Sequence, residues 1–339
     1  MAEPAPAAEA GTEDGLTRDE RHRRVEAIFI RHPRIREVED RMEKFRLWSK
    51  DAQEPYCLLV LGPSGVGKST LIADYLGRHP RTVTADRTIV PVLTATIPVP
   101  ATMKTMATEL LGALGDPAAE KGTLHQKTWR LFRLLKSCSV ELIILDEFQH
   151  FIDRDSDKVL RSVADWLKVL IDTARIPVVL TGLQYSRAVL DSNEQLHRRF
   201  GTHEVLAPFR WDAGGHDNFR RFLTHLDQLL PFPERSGLAG DDVAPRLFAA
   251  SQGLIATVMK VVRKAAHAAI EADAPGLSLD FLARAYGEGV LPGGEGAPNP
   301  FTASWSGQLA FEQAPVMAPK AVGPRLRGTG RTDPVTLTS

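Results

Sequence analysis

One junction constrains this chain more than any other. The apolar run Leu58 to Leu61 is cut short by Gly62-Pro63-Ser64-Gly65-Val66-Gly67-Lys68-Ser69, and apolar helical spacing resumes from Thr70 to Leu76. A buried strand, a loop with three glycines and then a helix fit G-x-x-x-x-G-K-[ST] at every fixed position. Glycines lack Cβ, so the loop can curl and aim its backbone N–H groups inward. The helix N-terminus adds partial positive charge. Lys68 can then reach β- and γ-phosphates, and the Ser69 hydroxyl can ligate Mg²⁺. The bland alternative is a tight strand-to-helix turn. The spacing and flanking pattern favour a nucleotide-binding loop over Gly62 to Thr70.

A second apolar run, "ELIILDEFQHF", ends in Asp146 and Glu147. Asp146, at the carboxyl end of a buried strand, would hold Mg²⁺, and Glu147 could polarise an attacking water. Gln149 and His150 follow as a relay of nucleotide state or as the start of a helix. "IPVVLTGLQYS" supplies a third strand ending at Thr181. If the sheet has the order usual for such proteins, Thr181 sits between the acidic strand and the loop strand and can sense the γ-phosphate. "QLHRRF" carries Arg198 and Arg199. Either is a surface charge or, in an oligomer, a finger reaching a neighbour's γ-phosphate. Arg199, beside Phe200, is favoured without being separable from Arg198.

The alternation of apolar runs with helical patterns over residues 53–208 predicts an α/β core: a parallel sheet with helices on both faces. Strands are expected at Cys57–Leu61, Ile89–Ile97, Leu142–Leu145, Val178–Thr181 and Glu204–Leu206, and a helix at 184–199. After Pro208 only helical patterns remain, which predicts a small helical lid over 209–286. Residues 1–16 and 287–339 read as disordered by composition, although the tail holds Phe301, Trp305, Leu309 and Phe311. That cluster is expected to dock a protein partner. Residues 17–52 form a helical segment, in which 17–50 hold eleven Lys/Arg against seven Asp/Glu, read as a solvated face or as an adaptor or DNA-facing segment.

Charge and composition exclude little. Lys+Arg and Asp+Glu both total 42, so any basic surface must be local. Two cysteines, Cys57 and Cys138, lie in or beside apolar segments and point to a reduced cytoplasmic interior, not a disulfide framework. The ten histidines show no metal-ligand spacing. The acidic N-terminus does not read as a signal peptide, and no apolar run is long enough for a membrane span.

These motifs in this order resemble the AAA+ ATPases, and more narrowly the TniB family of transposition ATPases, relatives of TnsC, MuB and IstB. The resemblance rests on "AIFIRHPRIREVEDRMEKF", "GPSGVGKST", "LIILDEFQHF", "RIPVVLTGLQYS", "QLHRRFGTHEVLAPFRW" and "SQGLIATVMKVVRKAA", over about residues 20–285. It implies an ATP- and Mg²⁺-dependent protein that assembles as a ring or helical filament on double-stranded DNA. It also implies recruitment or stimulation of a transposase, with a target-selection protein as a further partner. Lys68, Ser69, Asp146, Glu147 and Thr181 match the family's nucleotide motifs. One departure stands out: many AAA+ lids place an arginine three residues after the glycine of G-x-x-R, but Gly253 is followed by Leu254, Ile255 and Ala256. Lys260 or Arg263 would have to supply that charge, and hydrolysis is expected to be slow. In the assembly, Lys104 and Thr105 near a helix start would face DNA phosphates. Competing functions are a helicase-loading or replication-initiation ATPase, and a nucleotide-gated scaffold without DNA binding.

Overall fold

A computed structural model describes residues 15–99, 101–151, 157–187, 190, 193–211, 216–289 and 298–307. Five strands form one parallel sheet: β1 (Leu58–Leu61), β4 (Val92–Thr96), β5 (Leu142–Asp146), β6 (Val178–Gly182) and β7 (Thr202–Val205), in the order β4-β5-β6-β1-β7. The acid-tipped strand β5 is therefore separated from the loop strand β1 by β6. Side chains alternate across the pleat. Leu59, Leu61, Ile143, Leu145 and Leu180 pack under α4 (Met103–Leu114), α5 (Leu124–Ser137), α6 (Asp157–Ala174) and α7 (Glu194–Arg199). Leu58, Val60, Ile144 and Val179 face the other way, against α2 (Pro33–Trp48) and α3 (Lys68–Arg78). Both faces are covered, which is why the strands read as unbroken apolar runs.

Two expected elements divide. The run 89–97 breaks at Pro91, which lacks an N–H to donate. Thr88–Ile89 (β3) pairs with Thr82–Val83 (β2) in a small antiparallel hairpin, and only β4 enters the main sheet. Within the expected helix 184–199 the described residues show a 3-10 turn at Gln184–Ser186, helical backbone at Arg187 and Leu190, and α7. Asn193 starts α7 by accepting from the backbone N–H groups of Gln195 and Leu196. The last strand begins at Thr202, two residues before the expected start.

The lid comprises α8 (His216–Leu229), α9 (Val243–Ser251), α10 (Ile255–Glu271) and α11 (Leu279–Gly287) around a core of its own. Two flanking pieces join it. The first is α1 (Arg18–Ala27), whose Val25 is fully buried in the lid core together with Ile28 just beyond. The second is the stretch 298–307. Phe301 is 3% exposed within the lid core and meets the Tyr286 ring at 5.9 Å. Arg246 donates to the carbonyls of Pro300 (2.7 Å) and Thr302 (3.0 Å) and lies over Trp305. Phe301 is thus a lid residue and not a free docking group; Leu309 and Phe311 lie outside the described residues, as does the N-terminal stretch up to residue 14. Among the described residues no helix is long and apolar enough to cross a membrane.

Candidate nucleotide site

The loop after β1 is shaped by its neighbours. A Cβ on Gly62 would come within 2.3 Å of the Leu206 carbonyl oxygen, so no side chain fits there. Gly67 has φ of 99° and caps α3 without a side-chain hydrogen bond, which leaves the first N–H groups of that helix to outside acceptors. Lys68 is 7% exposed, and its Nζ donates to the carbonyls of Gly62 (2.7 Å) and Pro63 (3.0 Å). Burial holds its pKa below the usual lysine value, while the nearby Glu147 and Asp146 charges act the other way. An ammonium stored in this way is placed to exchange carbonyl partners for phosphate oxygens.

The start of α3, the end of β6 and the turn after β5 meet at Asp146. Its carboxylate accepts from the Ser69 hydroxyl at 3.1 Å, from the Thr181 hydroxyl and from the Glu147 backbone N–H at 2.9 Å. Thr181 stands beside Val60 in the β1–β6 register and is 1% exposed. A hydroxyl and a carboxylate side by side are hard oxygen donors that suit Mg²⁺, which takes its remaining ligands from phosphate and water. Glu147 has φ of 59°, in the left-handed region that a side-chain-bearing residue rarely adopts. This turn swings its carboxylate out of the strand and into the cleft. There it accepts from Gln149 Nε2, and Gln149 Oε1 in turn accepts from the Leu183 N–H at 3.2 Å. His150 Nδ1 pairs with the Ile97 carbonyl oxygen at 2.8 Å, which anchors the acidic turn to the end of β4. Gln149 thereby connects Glu147 to the end of β6.

The cleft has a volume of about 760 Å³, and its lining adds apolar Phe29, Ile30, Ile35, Ile255 and Met259 and charged Glu26, Arg263 and Lys264 to the residues of the phosphate loop. Residues 28–30 and 32 were not read from the sequence as part of this lining, because no local motif marks them. The stretch read as one solvated or DNA-facing segment is split: α1 belongs to the lid, α2 packs on the sheet, and the linker between them lines the cleft. At the lid, Ala256 stands where the arginine of G-x-x-R would be, and its N–H donates to the Gly65 carbonyl at 3.0 Å. Lys260 and Arg263 both line the cleft. Arg263 is committed to the linker, donating to the Glu26 and Ile28 carbonyls at 3.0 Å each.

The remaining candidates lie apart. Arg199 is 14% exposed and paired with Asp172 at 2.6 Å within its own chain, whereas Arg198 is 77% exposed and paired with Glu194 one turn away. Arg198 is the more exposed of the two. Lys104 is exposed at the start of α4. Thr105 spends its hydroxyl on a reciprocal capping box with Thr102.

The five-stranded parallel sheet, the phosphate-type loop after β1 and the appended helical lid define a P-loop ATPase fold of the AAA+ class, a nucleotide-binding fold. Solved AAA+ structures share it. The Aeropyrum pernix ORC2 protein in ADPNP–ADP complexes matches with a TM-score of 0.56 at 16% identity, covering 78% of this chain and 71% of that one. The Aeropyrum pernix ORC1 protein in complex with DNA matches at 0.57 and 16%, covering 79% and 69%. Drosophila ORC bound to DNA matches at 0.52 and 13%, covering 84% and 69%. No curated protein sequence matches the chain. The family model of the bacterial TniB protein matches residues 22–212, more than half of the chain, and the protein belongs to that family.

Proposed function

We propose that this protein is an ATP-dependent, sequence-tolerant DNA-binding ATPase that oligomerises on target DNA and recruits or stimulates a transposase. The observation that carries the reading is the meeting of Lys68, Ser69, Asp146, Thr181 and Glu147 at one end of a cleft, in a chain of the TniB family. Lys68 and the N–H groups of residues 62–70 take the phosphates. Ser69 and Asp146 would hold Mg²⁺, whose chemistry when bound is to neutralise charge on the phosphate oxygens. Glu147 takes a proton from the water that attacks the γ-phosphorus, as the bond to the β-phosphate oxygen breaks. Thr181 is placed to register whether the γ-phosphate is present. Gln149 holds Glu147 in position and passes its state to the turn after β6.

For DNA, Lys104 is an exposed charge at the α4 N-terminus, and a phosphate contact of this kind carries no sequence code. A chain of zero net charge gains affinity by aligning such contacts in an oligomer. Lys68→Ala should abolish nucleotide binding and, with it, retention on DNA. In the wild type with a non-hydrolysable ATP analogue, binding should weaken with salt by roughly 0.9 in log K per log salt for each phosphate neutralised, alike on two unrelated duplexes. Filter binding reads both quantities. Nucleotide-independent binding, or strong preference for one duplex, would overturn the DNA reading. Stimulation of a transposase, in preference to helicase loading, then separates the two closest functions.

A further inference from the structure

Where α1 lies on α10, four side chains form a chain that the phosphate chemistry does not use. Glu271 Oε1 lies 2.7 Å from His22 Nε2, His22 Nδ1 lies 2.6 Å from His267 Nδ1, and His267 Nε2 lies 2.7 Å from Glu26 Oε1. Both rings are partly buried. The two histidines are 245 positions apart in the sequence, so only the fold brings them together. His267 and Glu26 also line the cleft.

Counting protons along this chain fixes its charge. The Glu26 and Glu271 side chains are 60% and 62% exposed, and an ionised carboxylate can only accept. The hydrogen bond to His267 holds the Glu26 carboxyl below its ordinary value; burial opposes this, and the Arg263 charge supports it. Each Nε2 must then donate. The central contact still needs a proton of its own, because two neutral rings of this tautomer would set lone pair against lone pair. A fourth proton would set N–H against N–H and add a second positive ring. Three protons on four nitrogens is the state in which all three contacts are hydrogen bonds, and it makes the pair a single imidazolium. A metal ion is another way to join two Nδ1 atoms. At about 2.0–2.1 Å from each in tetrahedral geometry it would hold them about 3.3 Å apart. The observed 2.6 Å is the length of a short, charge-assisted hydrogen bond. Among the described residues there is no group of three metal-ligating side chains.

The charges around the pair favour keeping that cation. On α1, Asp19 stands one turn before His22 and Glu26 one turn after it. Arg18 reaches Asp273 at 2.6 Å and Glu271 at 3.8 Å. On α10, Arg263 and Lys264 stand one turn before His267 and Glu271 one turn after it. Arg263 lies 3.9 Å from Glu26, and Lys264 pairs with Glu288 at 2.9 Å. Each of these cations has an acidic partner, and the groups that touch the outer ring nitrogens are carboxylates.

We propose that one proton shared by His22 and His267 fastens α1, and with it the linker at residues 28–32, to the lid, and that this fastening loosens as pH rises. Separated imidazoles release their proton around about pH 6.5. Above that pH, closing the contact takes up a proton, so its contribution to stability is present on the acid side and is lost as pH rises. The inference is independent of the nucleotide reading.

Hydrogen exchange of the full chain, read over residues 18–27 and corrected for the intrinsic rate, tests this. Protection of α1 should fall about tenfold from about pH 6 to about pH 8.5, the factor that corresponds to ~1.4 kcal/mol, the scale of one hydrogen bond to a charged group. The strands β1 and β5 should keep their protection over the same range. His22→Gln should abolish the fall, because an amide can donate to neutral His267 at any pH. His267→Gln should do the same from the other side, and it serves if the first variant fails to pack. Flat α1 protection in the wild type overturns the proposal without any variant. So does a fall that survives in either variant, or one that disappears on adding a chelator, which would assign the contact to a metal ion.

Discussion

Glu147 shows how much can depend on one backbone angle. Had it continued β5, its carboxylate would have stayed in the strand's alternation, buried on one face of the sheet. Its φ of 59° directs it into the cleft, and the Gln149 amide holds it there. Such a conformation costs on the order of 1–3 kcal/mol and persists only when its surroundings determine it. His150 on the Ile97 carbonyl and the Glu147 N–H on Asp146 supply that constraint. Glu147→Gln retains the shape but cannot take up a proton. It should keep ATP affinity and lower turnover by about 10²-fold or more, the usual contribution of a positioned base. Phosphate release beside a binding isotherm checks both; unchanged turnover would assign the proton to another group. The acid pair was legible in the sequence because an apolar run ending in Asp-Glu is a local pattern. The positive φ was not, since it is imposed by contacts to residues 97 and 183.

At the scale of elements, α1 is a lid helix by its contacts although it lies at the other end of the chain. Val25 and Ile28 bury in the lid core. A polar seam then zips α1 to α10: Arg18 to Asp273 at 2.6 Å, His22 to Glu271 at 2.7 Å, His22 to His267 at 2.6 Å, and His267 to Glu26 at 2.7 Å. Arg263 extends the seam to the linker carbonyls. Since α2 is fixed to the sheet, residues 28–32 form a strap across the cleft between two separately packed bodies. The stretch 298–307 joins the lid through Phe301 and the Pro300 and Thr302 carbonyls. Phe301→Ala should remove a buried ring and destabilise the lid by about 3–5 kcal/mol. Thermal denaturation should show the loss, with ADP-bound samples melting lower than wild type under the same conditions. A melting point within a degree of wild type would mean that Phe301 contributes no core packing. The composition of this tail reads as disordered because its one anchoring aromatic is diluted by Gly and Pro. Its partners, Tyr286 and Arg246, lie far enough away that no periodic pattern links them.

At the scale of the molecule, the cleft lies where core, lid and N-terminal strap meet, so its closure is a property of the whole chain. In the oligomer proposed above, the charge that completes a neighbour's site must come from an exposed residue. Arg199 is held by Asp172, and Arg198 is open to solvent. Arg198→Ala should therefore reduce DNA-stimulated hydrolysis by 10³-fold or more, the scale of an arginine finger, while sparing nucleotide binding. Mixing it with Lys68→Ala should restore part of the activity, since each variant supplies what the other lacks at some interfaces. A mixture no more active than its components would argue against a finger acting between subunits. Arg199→Ala should act differently, loosening the Asp172 contact and lowering stability in the isolated chain.

What the sequence determined by itself was the chemistry carried by contiguous residues. The loop 62–69 needs glycines and a lysine at fixed spacing, the strands need unbroken apolar runs because both sheet faces are covered, and the acids must follow β5 directly. Each is a demand that neighbouring residues place on one another, so each leaves a pattern in the chain. Tertiary structure alone decided the rest. It set which arginine is tied to a distant helix, because Asp172 and Arg199 meet only when α6 and α7 pack together. It made α1 and residues 298–307 parts of the lid, because a buried side chain is defined by what surrounds it. And it formed the cleft, because its lining comes from residues near 30, 68, 147 and 259 that only folding brings together.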